Sequence, residues 1–375
     1  MSGHGSPLPL PLAGEGWGGG HPSPANGGGS ETSSQIKAII SRRMMRPRAP
    51  VARHATMFSV LAALLLAIAT HVAAQSARQP DLEAIDRAWS DPDVDGQSSG
   101  AAVPFAPPSE AEIPNDVFGQ TIRRGIAIFT DTRNEAKPYA GDGLACASCH
   151  LDRGRRPGAA PMWAAWVRYP RFRAKNDAVN TMTMRIQGCF RFSMNGTPPP
   201  DDSEIVTALQ TYFYWLARGA PTGGRLAGAG FTRLADPAEP PSIARGETVF
   251  AGKCAACHGS DGQGRRVPGG VGYQFPPLWG ANSYNWGAGM TSVATAAAFI
   301  RANMPYGLRE ALTGQEAWDV ASFVDSHERP QDPRFNGNLA ETRARYHDSK
   351  WSMYGTEQRG IRLGDPTNYP LTGGR

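Results

Sequence analysis

Histidine is scarce in this chain, cysteine comes in an odd number, and apolar runs of membrane-spanning length are missing. Only four of the eight histidines lie beyond residue 74, at 150, 258, 327 and 347. That is too few to supply several imidazoles to each of two centres. The apolar stretch FSVLAALLLAIA, 58–69, falls short of the roughly 20 residues a span requires, so no stable membrane span is expected. Little of the chain alternates with strand periodicity, which leaves a mainly helical architecture. A lasting excess of positive charge is also lacking. Six of the 38 basic residues and two of the 33 acidic ones lie in 1–74, so the remainder carries 32 against 31. The basic pI therefore belongs to the leader, and nothing points to a nucleic-acid partner.

The leader has two parts. Residues 1–43 are rich in Gly, Pro and Ser and low in complexity, and cannot bury enough apolar surface to order themselves. Translation is expected to begin at Met44, Met45 or Met57. Residues 44–74 read as a signal peptide, with Arg46, Arg48 and Arg53 ahead of the apolar stretch and Val72 and Ala74 at a cleavage site. The expected location is periplasmic, with cleavage after Ala74. In an oxidising compartment cysteines normally pair, so five of them leave one to explain.

The remaining 301 residues are long enough for more than one domain, and they contain one unit twice. Ile122-x-x-Gly125-x-x-x-Phe129 leads to CASCH at 146–150, and Ile243-x-x-Gly246-x-x-x-Phe250 leads to CAACH at 254–258. This spacing places Ile, Gly and Phe on one helical face, with Gly admitting another helix closely. Each unit closes on an amphipathic segment, 203–219 and 313–327, whose aromatics are expected to cover that glycine. The organisation is then an extension at 75–115, domain 1 at 116–220, a linker at 221–241, domain 2 at 242–330 and a C-terminal extension at 331–375.

Cys146-x-x-Cys149-His150 and Cys254-x-x-Cys257-His258 are c-type haem attachment sequences: two thiols form thioethers and the adjacent histidine reaches the iron. Two CxxC pairs could also make a zinc site. A histidine after each pair, one pair per repeat and the export signal favour two covalently bound haem c groups. For the second haem Met304 in NMPYG is the natural distal ligand, with Met290 in GAGM as alternative. For the first haem Met182, Met184, Cys189 and Met194 all lie in the segment that presents such a ligand, and spacing does not choose among them. A distal methionine at both irons makes an electron carrier. A distal thiolate makes something more specialised.

Cys189, in RIQGCFRFSMNG, is the odd cysteine. It is either a small buried apolar side chain or a working thiolate. Arg185, Cys189 and Ser193 are spaced i, i+4, i+8, and Arg173, Lys175 and Arg191 are near in sequence. Cations favour the thiolate and can hold an oxyanion.

The stretches RIQGCFRFSMNGTPPP, CAACHGSDGQG, FPPLWGANSYNWGAGM, FIRANMPYG and AWDVASFVDSHERP resemble the dihaem thiosulfate dehydrogenases, which make tetrathionate from thiosulfate. The resemblance spans the chain beyond the leader. It implies two fused class I cytochrome c domains with irregular N- and C-terminal extensions. It also implies His150 and Cys189 on the first iron, and His258 and Met304 on the second. Cys189 becomes the catalytic thiol, with Arg185 and Ser193 in the sulfur-substrate pocket and Arg173 or Lys175 as a further cation. Gln187 stands where the family usually has Asn, which puts the detail of that pocket at issue. Asn303 precludes the lysine that some relatives carry beside the methionine. The implied partners are thiosulfate, tetrathionate and a soluble cytochrome c or similar electron acceptor.

Overall fold

Each repeat is built on a helix that starts on a polar cap and buries a Gly-containing face. In the computed structural model the described residues are 102–368, apart from 174–177, 223–224 and 271. The leader, residues 75–101 of the extension, Lys175 and 369–375 lie outside them. The described part is mainly helical. The first repeat contains α1 (Val117–Thr130), α2 (Met182–Gly188) and α3 (Glu204–Leu216). The second contains α4 (Ile243–Lys253), α5 (Val293–Asn303) and α6 (Gly314–Asp325). A further helix, α7 (Leu339–Tyr346), lies beyond them.

The caps follow from the residues. Asp116 accepts from the Gly119 N–H at 2.9 Å, and Ser203 accepts from Val206 N–H. Thr313 and Glu316 form a reciprocal capping box. Each satisfies donors that a helix start leaves unpaired.

The glycine-containing faces behave as their spacing implies. A Cβ on Gly125 would lie 2.3 Å from the Ala208 carbonyl oxygen and 2.7 Å from Tyr212 Cβ. A Cβ on Gly246 would lie 2.0 Å from the Asp319 carbonyl oxygen and 2.8 Å from Phe323 Cβ. Glycine is thus what lets α1 meet α3 and α4 meet α6 at backbone contact. Around the first crossing Ile122, Phe129, Tyr212 and Trp215 are buried, and Phe129 meets Tyr212 and Phe213 edge-on. Around the second, Phe250, Trp279 and Phe323 form the matching cluster.

Strands are short. In the first repeat β1 (Arg171–Arg173) pairs antiparallel with β2 (Ala178–Asn180), setting Arg171 opposite Asn180. The C-terminal segment packs by its aromatics: Trp351 against Trp318 at 4.4 Å, and Tyr354 edge-on to Trp286.

Candidate active site

Both CxxCH motifs have the local order that a haem-ligating histidine needs. In the first, Thr132 Oγ1 accepts from the Cys146 N–H at 3.2 Å, and Ser148 Oγ accepts from the Ala145 N–H at 3.1 Å. His150 Nδ1 lies 2.8 Å from the Ala160 carbonyl oxygen. Nδ1 therefore carries the proton and donates it, which leaves Nε2 as the nitrogen open to iron. Burial pushes the His150 pKa down to about 4, so the ring is neutral. The turn after it has Asp152 and Arg153 in the left-handed region, at φ 52° and 53°. Tyr212, whose Cβ covers Gly125, reaches from α3 to donate its hydroxyl to the Arg153 carbonyl at 2.7 Å. In the second motif His258 Nδ1 lies 2.8 Å from the Pro276 carbonyl oxygen, and burial again lowers the ring pKa.

Each motif opens on a cavity. The first, about 190 Å³, is walled by Cys146, Cys149 and His150 on one side. The second, about 490 Å³, is walled by Cys254, Cys257 and His258, with Met290 and Met304 among the facing residues. Leu144, Ala145, Ser148 and Cys149 line both cavities, so the first attachment loop is their shared wall. Among the described residues no three His, Cys, Asp or Glu side chains gather as a cluster that could hold a bare ion.

Cys189 stands in the first cavity together with Arg185 and Ser193. Helix α2 ends at Gly188 and the chain continues as a π-helical turn, Cys189–Ser193, closed by the Met194 N–H on the Cys189 carbonyl at 3.0 Å. π-Turns recur at functional sites. Arg185 Nη1 donates to Cys189 Sγ at 2.9 Å. The Arg185 pKa is raised, first by the charge of the Cys189 sulfur, against burial and with help from the Tyr169 hydroxyl. Arg173 Nη1 donates to Tyr169 Oη at 3.0 Å. Tyr169 thus connects two of the cavity's cations, and Arg168 and Arg171 complete a wall of four arginines. Such a wall receives anions.

Residues 135–222 match the SoxA/TsdA cytochrome c domain, and residues 243–328 match the cytochrome c family. A thiosulfate dehydrogenase of Thiomonas intermedia (strain K12) is 51% identical over 266 residues, covering 71% of this chain and 84% of that protein. One from Stutzerimonas stutzeri (strain A1501) is 47% identical over 271 residues, covering 72% and 87%. The chain belongs to the thiosulfate dehydrogenase family. The as-isolated structure of thiosulfate dehydrogenase (TsdBA) from Marichromatium purpuratum superposes with a TM-score of 0.67 at 49% identity. That likeness covers 70% of this chain, and the chain spans 57% of that one.

As in other members of the thiosulfate dehydrogenase family, the two cytochrome c domains carry two covalently bound haem c groups. The donor sets fit. Each cavity has its two thiols and a neutral imidazole with Nδ1 already engaged. Among the candidate distal ligands of the first haem, Met182, Cys189 and Met194 line the cavity, whereas Met184 is 41% exposed and does not. Met290 and Met304 both face the second cavity. Gln187 does not line the first cavity. Its Nε2 donates to the Pro199 carbonyl at 2.9 Å and to Asp201 Oδ1 at 2.6 Å, tying α2 to the loop before α3. The family difference at this position therefore falls outside the pocket wall. Asn303 is buried, and its Nδ2 donates to the carbonyls of Gly158 and Phe299, both at 3.1 Å. Arg191 points to the C-terminal segment, donating to the Pro333 carbonyl at 3.3 Å. Arg168, Tyr169 and Arg171 escaped the sequence reading. The run RYPRFR, dense in cations just ahead of α2, is the signal that could have found them.

Proposed function

We propose that this protein oxidises thiosulfate to tetrathionate in the periplasm and passes the electrons to a soluble cytochrome c or similar acceptor. The observation that carries the reading is the 2.9 Å contact from Arg185 Nη1 to Cys189 Sγ, inside a cavity shared with His150 and three further arginines. In this reading His150 and Cys189 would hold the first haem iron, and His258 and Met304 the second. The arginines hold the sulfonate of one thiosulfate, and the Ser193 hydroxyl donates to it. The sulfane sulfur bonds to Cys189 Sγ as two electrons leave, giving a Cys–S–S–SO₃⁻ adduct. The sulfane sulfur of a second thiosulfate then attacks the sulfur bound to Cys189. The S–Cys189 bond breaks, tetrathionate departs, and Cys189 regains its thiolate. Two electrons are released per tetrathionate and no proton is consumed. Haem c held at the two CxxCH motifs would supply the one-electron acceptors for these electrons. The wall common to both cavities supports transfer between them. Signal cleavage after Ala74 belongs to the same reading.

Thiosulfate-dependent haem reduction tests it, compared between wild type and Cys189→Ala. The expected results are a low-spin thiolate signature in the oxidised wild type, loss of that signature in the variant, and a fall in turnover of at least a thousandfold, the scale for removing a nucleophile. Full turnover with an unchanged spectrum in Cys189→Ala would instead remove Cys189 from the site and point to Met194 for the first iron, whereas a wild type whose haems are not reduced by thiosulfate would be an electron carrier.

A further inference from the structure

The turn that carries Cys189 is held from the second cytochrome c domain. A π-helical turn spaces its internal bonds five residues apart and leaves neighbouring carbonyls in need of other donors. Here Asn285 supplies them. Its Nδ2 donates to the Arg191 carbonyl at 2.9 Å and to Asn195 Oδ1 at 3.1 Å, and its backbone N–H donates to the Phe192 carbonyl at 3.2 Å. Its Oδ1 accepts from the Gly287 N–H at 3.0 Å, which fixes the amide with both donors toward the turn. Asn285 is fully buried.

The ring of Phe192, between Cys189 and Ser193 in the chain, is gripped from the same side. A Cβ on Gly287 would lie 2.4 Å from Phe192 Cδ1, so only glycine leaves room for the ring. The Arg334 guanidinium covers Phe192 at 5.0 Å and is itself held by Asp332 at 2.6 Å. Asn285, Gly287 and Arg334 are thus 90 or more residues from the thiol in sequence, yet they surround its turn.

We infer that Asn285 is a positioning residue for the first haem's distal ligand: the second domain, through Asn285 and the Gly287 gap, sets where Cys189 Sγ and the Ser193 hydroxyl stand in the cavity. The inference rests on the reading of Cys189 as that ligand. It makes the second domain part of the active site, in addition to its role in carrying electrons away.

The test uses the full dihaem protein with Asn285→Asp and Gly287→Ala. Asn285→Asp keeps the volume and the acceptor for the Gly287 N–H, and replaces the two amide donors by an oxygen facing oxygens. Gly287→Ala keeps the Asn285 amide but puts a Cβ 2.4 Å from Phe192 Cδ1 and 3.2 Å from Asn285 Oδ1, so it crowds the same grip from the glycine side. Both variants are expected to weaken the thiolate signature of the first haem severalfold and to lower kcat roughly tenfold, the effect of losing buried hydrogen-bond partners. The KM for thiosulfate should rise less than kcat falls, because the arginines are untouched and only the Ser193 contact to the sulfonate moves with the turn, and the second haem's spectrum should not move. A thiolate signature and kcat that match wild type in Asn285→Asp overturn the inference, as does a change confined to thermal stability. A wild-type protein with no thiolate signature defeats the reading of Cys189, and this inference with it.

Discussion

At the scale of single residues, what matters is how few groups define the first cavity's chemistry. Arg185 stands at two places at once: its guanidinium meets Cys189 Sγ at 2.9 Å and also faces the cavity proposed to receive thiosulfate. A planar fork of donors can do both, whereas an ammonium is a single point of charge. Arg185→Lys keeps the charge and removes the fork. Steady-state kinetics of this variant should show kcat/KM for thiosulfate down by roughly 10- to 100-fold, with loss in both kcat and KM. A change under threefold would place the working cation elsewhere in the wall. Cys189 and Arg185 were both legible in the sequence, one as an odd cysteine and the other as its i−4 neighbour. Tyr169 was not. A tyrosine before proline carries no mark of function until the fold sets its hydroxyl against Arg173.

At the scale of elements, the two crossings α1 with α3 and α4 with α6 repeat one solution, and glycine is the residue that permits it. Alanine in a helix interior is ordinarily better than glycine by about 0.5–1 kcal/mol. At Gly246 that gain competes with a Cβ 2.0 Å from the Asp319 carbonyl oxygen, and overpacking of this kind costs about 1–3 kcal/mol. The clash wins. Gly246→Ala and Gly125→Ala should each lower the thermal midpoint of the haem-loaded protein by several degrees, read by melting followed at the haem band. An unchanged or raised midpoint would mean the helices separate without cost. The I-x-x-G-x-x-x-F spacing announced these crossings because a helical period and a missing side chain are both local facts. The π-turn at Cys189–Ser193 had no such announcement. The i, i+4, i+8 spacing of Arg185, Cys189 and Ser193 reads as ordinary helix. What holds the wider turn comes from Asn285, 96 positions beyond Cys189.

At the scale of the whole molecule, one buried carboxylate holds the C-terminal segment together, since Arg334 and His347, the partners of Asp332, both lie within that segment. Burial alone would raise the pKa of Asp332. Hydrogen bonds from His347 Nε2 at 2.9 Å and from Arg334 at 2.6 Å outweigh that and hold it well below the usual carboxylate range. A carboxyl that titrates lower in the folded chain than in the unfolded one adds stability that is complete above pH about 4 and fades as pH drops below it. Limited proteolysis between pH 6 and 3 should therefore cut 331–368 increasingly below pH about 4. In Asp332→Asn the same cuts should appear already at pH 7. Cleavage of wild type that is flat across this range would show that another group carries the acid sensitivity. Because Arg334 also covers Phe192 at 5.0 Å, release of this segment should loosen the Cys189 turn as well.

The sequence by itself determined what local pattern encodes: the helix caps, the paired glycine crossings, the two haem attachment motifs and the candidates for the distal ligands. Caps and periodicities act over one or two turns, and a thioether motif needs only its five residues. Tertiary structure alone decided which of those candidates share a cavity, which arginines form its wall, and that a loop and an extension from far along the chain hold the turn bearing Cys189. Those relations depend on side chains brought within hydrogen-bond reach across some 90 to 150 positions, and no spacing along a chain records such a distance.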